Sequence, residues 1–157
     1  MVRIYCYSRS GNTLWAAKQL AEALGAELVR IEEENPRGGF IGFFLAGMDA
    51  TFKRAAKIRP VKLPSEPGSL LVICGPVWAG KLSSPVRALL NQTAGAPLRV
   101  AYLITRGDKA NPYGGVFDEM DRVLGARRVA ELSLQGADFG EAAAAQVRGF
   151  AEGLSKL

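Results

Sequence analysis

Short apolar runs alternate with longer amphipathic segments along the 157-residue chain. Five runs rich in branched residues end at glycine, polar or charged residues, a pattern that predicts β-strands. The predicted strands are Val2 to Tyr7, Leu28 to Ile31, Leu70 to Cys74, Val100 to Ile104 and Val129 to Leu134. Because the runs hold few polar positions, we expect these strands to be buried on both faces.

Helices are predicted between the strands, because apolar residues recur there at helical spacing. The clearest are Thr13 to Leu24, Ser84 to about Leu90, Gly115 to Leu124 and about Glu141 to Leu154. Strands that alternate with helices predict an α/β fold, a doubly wound parallel sheet with helices on both faces. Ligands bind such sheets beyond the carboxyl ends of the strands. The loops after Tyr7, Cys74 and Ile104 are therefore the candidate binding loops.

The segment Glu32 to Ser69, between the second and third predicted strands, is longer and less regular. It contains an apolar helix followed by basic residues. Apolar residues recur in this helix at Ile41, Phe44, Leu45, Met48, Phe52 and Ala55. The basic residues are Lys53, Arg54, Lys57, Arg59 and Lys62. We expect the apolar stripe to pack on the sheet, with the basic residues on its solvated face.

The composition limits the chemistry that side chains can supply. There is no histidine, which excludes Ser-His-Asp and Cys-His catalysis and imidazole metal ligands. The two cysteines, Cys6 and Cys74, are too few for a structural zinc site or an iron–sulfur cluster. We expect them to be buried, reduced and close together. No catalytic residue and no metal site are assigned, so redox chemistry would require a bound organic cofactor.

Size and hydropathy predict one globular domain over residues 1–157, since 48% of the residues are hydrophobic and 22% are charged. The longest apolar stretch, Phe40 to Met48, is far shorter than the roughly 20 residues of a membrane-spanning helix. The N-terminal residues resemble a strand rather than a signal peptide. We therefore predict a cytoplasmic protein without stable membrane insertion.

The first candidate loop has the features of a phosphate site, because it leads directly into a helix. Its residues are Ser8, Arg9, Ser10, Gly11, Asn12 and Thr13. Hydroxyls, a glycine and the free amides of a helix N-terminus together bind phosphate. The alternative is an ordinary polar loop that caps the helix.

The second loop, Gly75 to Leu82, has the glycine and lysine spacing of a nucleotide-triphosphate P-loop. Leu82, however, stands where the magnesium-binding Ser or Thr would be, and Pro76 removes an amide. Trp78 is better explained as a flat surface for an aromatic ligand, or else as a partly exposed structural tryptophan. The third loop, from Thr105 to Gly115, is a weak signal, with Tyr113 as a possible second aromatic wall.

These loops resemble the flavodoxins, in particular a bacterial flavodoxin-like family, over essentially the whole chain. The resemblance rests on residues 7–13 and 75–80, followed by Pro85, Val86 and Arg87. It implies a five-stranded sheet of order 2-1-3-4-5 and one bound FMN. By resemblance, phosphate would be held by Ser8, Ser10, Gly11, Asn12 and Thr13, next to Arg9. The isoalloxazine would contact Pro76, Val77, Trp78, Ala79 and Gly80, and its pyrimidine edge Thr105, Arg106, Gly107 and Asp108.

The family implies electron transfer through the flavin to a redox partner protein, or reduction of a small-molecule acceptor such as a quinone with a nicotinamide donor. The net charge of +5 departs from the acidic flavodoxins. Basic residues fall on the predicted flavin-side loops at Arg9, Lys81, Arg106 and Lys109. They favour anionic reduced flavin, so we expect a higher midpoint for full reduction and less separation of the one-electron steps.

A second hypothesis is a non-catalytic docking module. It would use the basic amphipathic segment 40–62 to meet an acidic partner or a membrane surface. Nucleic acid is not expected as a partner, because no recognition motif is present and the basic residues lack interleaved exposed aromatics. The sequence leaves the electron donor, the acceptor and the oligomeric state open, with Arg106 and Tyr113 as candidate substrate-side residues.

Overall fold

The structure is a computed structural model that describes residues 1–35, 38–64, 66–96, 98–136 and 139–157. Strands and helices alternate along most of the chain. Its strands are β1 (Val2–Cys6), β2 (Glu27–Arg30), β3 (Leu70–Trp78), β4 (Lys81–Leu82), β5 (Arg99–Arg106) and β6 (Ala130–Gln135). Its helices are α1 (Asn12–Leu24), α2 (Gly39–Thr51), α3 (Ser84–Thr93), α4 (Gly114–Leu124) and α5 (Glu141–Ser155).

Five strands form a parallel sheet in the order β2-β1-β3-β5-β6. This is the predicted 2-1-3-4-5 order once β4 is set aside, so the α/β prediction is confirmed. The short β4 pairs antiparallel with the end of β3, where Val77 faces Leu82 and Trp78 faces Lys81. A two-residue strand has too few positions to show alternation, which is why the sequence pattern missed it.

The β3 strand is longer than predicted because Gly75 and Pro76 continue its pairing with β5, opposite Ile104 and Thr105. Gly75 also allows α3 to approach the sheet, since a Cβ added there would lie 2.3 Å from Cγ2 of Val86. The stretch after Cys74 is therefore a strand and a hairpin. It does not have the strand, loop and helix geometry of a P-loop.

The sheet is covered on both faces, as predicted. Helices α3 and α4 pack on one face around Tyr5, Ile73 and Tyr102, which are fully buried. Helices α1 and α5 pack on the other face around residues such as Ile4 and Leu103. Successive side chains of a strand point to opposite faces of the sheet. Because both faces are covered, both sets are buried, which explains the nearly continuous apolar runs of β1, β3 and β5.

Helix α2 does not pack as predicted. Its small residues Gly42, Ala46 and Ala50, spaced four apart, face the protein and are buried. The expected inward stripe is exposed instead, with Ile41 74%, Phe44 61%, Leu45 46%, Met48 37% and Phe52 61% accessible, and Ala55 also exposed beyond the helix end. Apolar residues occupy both sides of this helix, so their spacing alone did not identify the buried side. Small residues allow close approach to β3, β4 and α3, its main contacts.

The two cysteines are free, buried and opposite each other in the register of β1 and β3. Burial raises the pKa of Cys6 to about 12 and raises the pKa of Cys74 well above its ordinary value. The prediction that the two thiols are buried, unbridged and close together is confirmed. Within the described ranges, no helix has the length and apolar character needed to span a bilayer.

Candidate functional site

A cavity of about 470 Å³ lies at the carboxyl ends of β1, β3 and β5. The three candidate loops meet there, because parallel strands bring their carboxyl ends to one edge of the sheet. Its lining comprises Arg9, Ser10, Asn12, Thr13, Phe43, Pro76, Val77, Trp78, Thr105, Arg106, Gly107 and Gly136. The volume falls within the ~300–1,000 Å³ typical of small-molecule sites.

The first loop is shaped by Gly11, which has a left-handed backbone with φ of 97°. The amide of Gly11 donates to Ser8 Oγ at 3.2 Å, which closes the turn before α1. Because α1 begins at Asn12, the first amides of the helix have no acceptor within it. They and the exposed Ser10 place hydrogen-bond donors and the positive end of a helix on the cavity wall, an arrangement suited to an anion.

Two hydrogen bonds join this helix terminus to the neighbouring strands. Oγ1 of Thr13 lies 2.7 Å from Oγ1 of Thr105, and both side chains are buried. Nδ2 of Asn12 donates to the carbonyl of Gly136 at 3.1 Å, beyond the end of β6. The backbone amide of Gly136 in turn donates to the carbonyl of Arg106 at 2.6 Å. The cavity floor is therefore held together by hydrogen bonds among the start of α1, the end of β5 and the residue that follows β6.

The apolar wall is formed by the end of β3. Trp78 is half-buried, and its ring packs edge-on against Tyr7, with centroids 5.5 Å apart and planes at 82°. Pro76 and Val77 precede it on the same wall. The indole is thus fixed by Tyr7 while it still lines the cavity.

The third loop is held by its own side chains. Nε of Arg106 donates to Ser133 Oγ at 2.9 Å, and its Nη1 donates to the carbonyls of Asp108 and Lys109. The carboxylate of Asp108 accepts the amides of Ala110 and Asn111 in a tight turn. Arg106 therefore organises the loop and contributes charge to the cavity edge.

The structure separates the predicted site residues into two groups. Those on the cavity wall are Arg9, Ser10, Asn12, Thr13, Pro76, Val77, Trp78, Thr105, Arg106 and Gly107. The others lie off the wall: Ser8 and Gly11 shape the first loop, Asp108 shapes the third, and Ala79 and Gly80 line a neighbouring cavity. Whether each contacts a ligand stays a prediction.

Sequence reasoning missed two wall residues, Phe43 and Gly136. Phe43 comes from α2, and its place followed from the unexpected orientation of that helix. Gly136 follows β6, whose carboxyl end lies at the same sheet edge as the three chosen loops. Extending the strand-end argument to this fourth loop would have found it.

The neighbouring cavity, about 490 Å³, borders the turn of the β3–β4 hairpin, because Ala79, Gly80 and Lys81 line it. Tyr113 lines this second cavity, where a Cβ added at Gly80 would lie 3.3 Å from its ring, and so Tyr113 is not the second aromatic wall of the first cavity. Lys81 also belongs to this neighbouring cavity, and Lys109 lines neither. Of the four predicted flavin-side cations, Arg9 and Arg106 reach the candidate site.

Glu119, at the edge of the second cavity, forms a buried ion pair with Arg87, with Nη2 and Oε1 2.7 Å apart. Lys53 Nζ lies 3.6 Å from the same oxygen. Burial alone would raise the pKa of Glu119, but the hydrogen bond and charge of Arg87, aided by Lys53, lower it below its usual value. The pair joins α3 to α4, which places it among the structural contacts.

In the part of the chain that the structure describes, no cluster of His, Cys, Asp or Glu could hold a metal ion.

The sequence matches no protein-family model, and no curated protein matches it. Similar solved structures include a flavoprotein in complex with FMN from Lactobacillus acidophilus NCFM, with 20% identity, a TM-score of 0.71 and coverage of 86% of this chain and 92% of that one. Oxidised Flavodoxin 2 from Bacillus cereus is 18% identical, with a TM-score of 0.60 and coverage of 99% and 97%. The flavodoxin of Streptococcus pneumoniae TIGR4 is 14% identical, with a TM-score of 0.58 and coverage of 99% and 97%. The chain therefore has a flavodoxin-like fold.

Proposed function

We propose that this protein binds one FMN in the cavity at the carboxyl ends of β1, β3 and β5 and uses it for electron transfer. The observation that carries the proposal is the pairing, in one cavity, of an anion-binding helix terminus with a half-buried tryptophan. Similar structures include an FMN complex and flavodoxins, which supports the same ligand.

The phosphate would sit at the start of α1. Ser10 and Thr13 lie on this wall, and the unpaired amides of the first helical turn provide further donors. The Thr13 hydroxyl already contacts Thr105, so it orients the helix start even where it does not donate to phosphate. A dianion is favoured here both by hydrogen bonds and by the positive end of the helix.

The flat ring system would lie against Trp78. Tyr7 holds the indole edge-on, so little side-chain freedom remains to be lost when a ring stacks on it. Gly107 and Gly136 also line the cavity, and because they have no side chains their backbone would be able to meet polar ring atoms. Ala79 and Gly80, which follow Trp78 in the β3–β4 turn, line the neighbouring cavity instead.

Bound FMN would supply one- and two-electron redox chemistry, which the side chains of this protein cannot supply. Arg9 and Arg106 place positive charge at the cavity edge and favour a ligand that gains negative charge. The site presents no histidine and no reactive thiol as acid, base or nucleophile. A redox partner protein or a small acceptor would then receive electrons directly, and the predicted cytoplasmic location stays a prediction.

Titration of the purified protein with FMN tests this proposal. We expect flavin fluorescence to be quenched with one-to-one stoichiometry, and tryptophan emission to fall as Trp78 is covered. Riboflavin, which lacks the phosphate, should bind at least tenfold more weakly if the start of α1 holds a phosphate. A protein that remains colourless after incubation with FMN would overturn the proposal and favour a non-catalytic docking module.

A further inference from the structure

Helix α2 exposes an apolar face, and most of its residues lie outside the candidate cofactor site. This face, hereafter the α2 face, consists of Ile41, Phe43, Phe44, Leu45, Met48 and Phe52. Phe43, Phe44 and Ile41 are 66%, 61% and 74% accessible. A contiguous exposed apolar face of this kind marks a surface that binds a protein partner or a membrane.

Arginine side chains flank the α2 face at both ends. The guanidinium of Arg9 lies 5.3 Å from the ring centroid of Phe43, and that of Arg54 lies 5.5 Å from the ring centroid of Phe52. Lys53 and Lys57 are exposed just beyond the helix. The two arginines therefore contact the apolar surface, and Lys53 and Lys57 follow it in the chain, which favours an anionic partner.

Polar side chains that could specify a protein partner are few on this helix. Asp49 is only 21% accessible and lies 3.9 Å from Arg54, and Oγ1 of Thr51 donates to the carbonyl of Gly47 at 2.9 Å. A protein interface carries about ten direct hydrogen bonds, whereas a bilayer surface requires only apolar depth and negative charge. The α2 face, which is apolar and flanked by arginines, meets the requirements of a bilayer surface.

We propose that the α2 face docks on the surface of an anionic lipid bilayer. Helix α2 would lie in the plane of the interface, with its phenylalanines at the acyl boundary and Arg9 and Arg54 at the level of the headgroups. The apolar groove of about 360 Å³ between Phe43, Phe44, Met48 and Phe52 would accept parts of acyl chains. Docking needs no spanning segment and no bound FMN.

A second copy of the chain fits the same surface poorly. A two-fold interface would place the arginines of one α2 face against those of the other, because the same patch is used on both sides. Like charges that lose solvent in this way repel each other. Anionic headgroups, in contrast, carry the charge opposite to that of Arg9 and Arg54, so the same approach is attractive.

Sedimentation with lipid vesicles tests the proposal, using the full chain with and without added FMN. Vesicles of phosphatidylcholine with about 30% phosphatidylglycerol should bind the protein at low salt, and vesicles of phosphatidylcholine alone should bind it at least fivefold more weakly. High salt should weaken binding to the anionic vesicles, since it screens the arginines. Absence of binding to anionic vesicles at low salt would overturn the proposal.

Two pairs of variants separate the α2 face from net charge and general hydrophobicity. Phe44→Ser should weaken vesicle binding about tenfold or more, whereas Val129→Ser, at another exposed apolar position, should leave it unchanged. Arg54→Glu should weaken it by a similar factor, and Lys18→Glu on α1, across the sheet, by less than twofold. Circular dichroism of each variant checks that it folds.

Equal effects of Arg54→Glu and Lys18→Glu would overturn the proposal, because binding would then follow net charge alone. Light scattering that showed a dimer broken by Phe44→Ser, without vesicle binding, would assign the face to a second copy. Selective binding to an acidic protein, again without vesicle binding, would assign it to a protein partner. FMN binding is measured separately, so failure of this inference leaves the proposed function standing.

Discussion

The hydroxyls of Thr13 and Thr105 lie 2.7 Å apart in the buried floor of the candidate site, although 92 residues separate them in sequence. The contact ties the first turn of α1 to the end of β5. It thereby fixes the distance between the predicted phosphate end of the cavity and the third loop. Removal of either hydroxyl should therefore affect both the predicted phosphate end of the cavity and the third loop.

Thr13→Val should lower the free energy of unfolding by about 1–3 kcal/mol, because it leaves the Thr105 hydroxyl buried without its partner. It should also weaken FMN binding, since Thr13 lines the cavity. The double variant Thr13→Val/Thr105→Val should cost less than the sum of the single variants. Urea unfolding of the four proteins measures this coupling, and strictly additive costs would show that the two hydroxyls act independently.

Trp78→Ala should weaken FMN binding by about 1–3 kcal/mol if the flavin ring stacks on the indole, by analogy with base stacking on aromatic side chains. Trp78→Phe should retain most of the affinity. The chain has two tryptophans, and the other, Trp15, packs against Phe139 with ring centroids 4.8 Å apart. Quenching of tryptophan emission by FMN should therefore persist in Trp15→Phe. Affinity that is unchanged in Trp78→Ala would mean that the ring is held elsewhere.

The buried pair of Arg87 and Glu119 predicts a pH dependence of stability. The pKa of Glu119 is lower in the folded protein than its ordinary value of 4.5. Its ionised form therefore stabilises the fold above that value, and this contribution is lost as the pH falls towards and through the lowered pKa. Glu119→Gln should be less stable than the wild type near neutral pH, and the difference should shrink in acid.

Chemical unfolding near pH 7 and near pH 4 measures the Glu119 effect. Asp108→Asn is a suitable control, because that carboxylate is exposed and accepts only the amides of its own turn. A difference between wild type and Glu119→Gln that stayed constant with pH would show that the carboxylate does not carry the effect.

Arg9→Gln should lower the midpoint for full reduction of bound FMN, because a positive charge at the cavity wall is lost. A loss of about 1 kcal/mol corresponds to ~20 mV for a two-electron couple. Lys109→Gln should shift it less, since Lys109 lies outside the cavity. Optical redox titration compares the two, and equal shifts would mean that long-range net charge sets the potential.

The sequence predicted the five parallel strands and the three loops that meet at the candidate cavity. Buried strands such as β3 and β5 have long apolar runs, and their order follows from the strand and helix alternation together with the family resemblance. Gly11 and Trp78 were recognised as candidate site residues from their local sequence, because one is a glycine just before a helix and the other is a tryptophan at the end of a strand.

The parts that were missed depend on contacts between distant segments. Helix α2 is apolar on both sides, so periodicity could not show that Ala46 and Ala50 face inward while Phe44 faces outward. Phe43 reached the cavity wall as a result of that orientation. Lys81, which follows the β3–β4 turn, lines the neighbouring cavity, and Lys109, in the turn capped by Asp108, lines neither cavity.

The neighbouring positions of Cys6 and Cys74 at the centre of the sheet have a practical consequence. Both thiols are 1% or less accessible, and raised pKa values keep them protonated, so alkylating reagents can reach them only when β1 and β3 separate. The rate of thiol labelling would therefore measure the opening of the central strands. A cysteine introduced at the surface would react selectively in the folded protein.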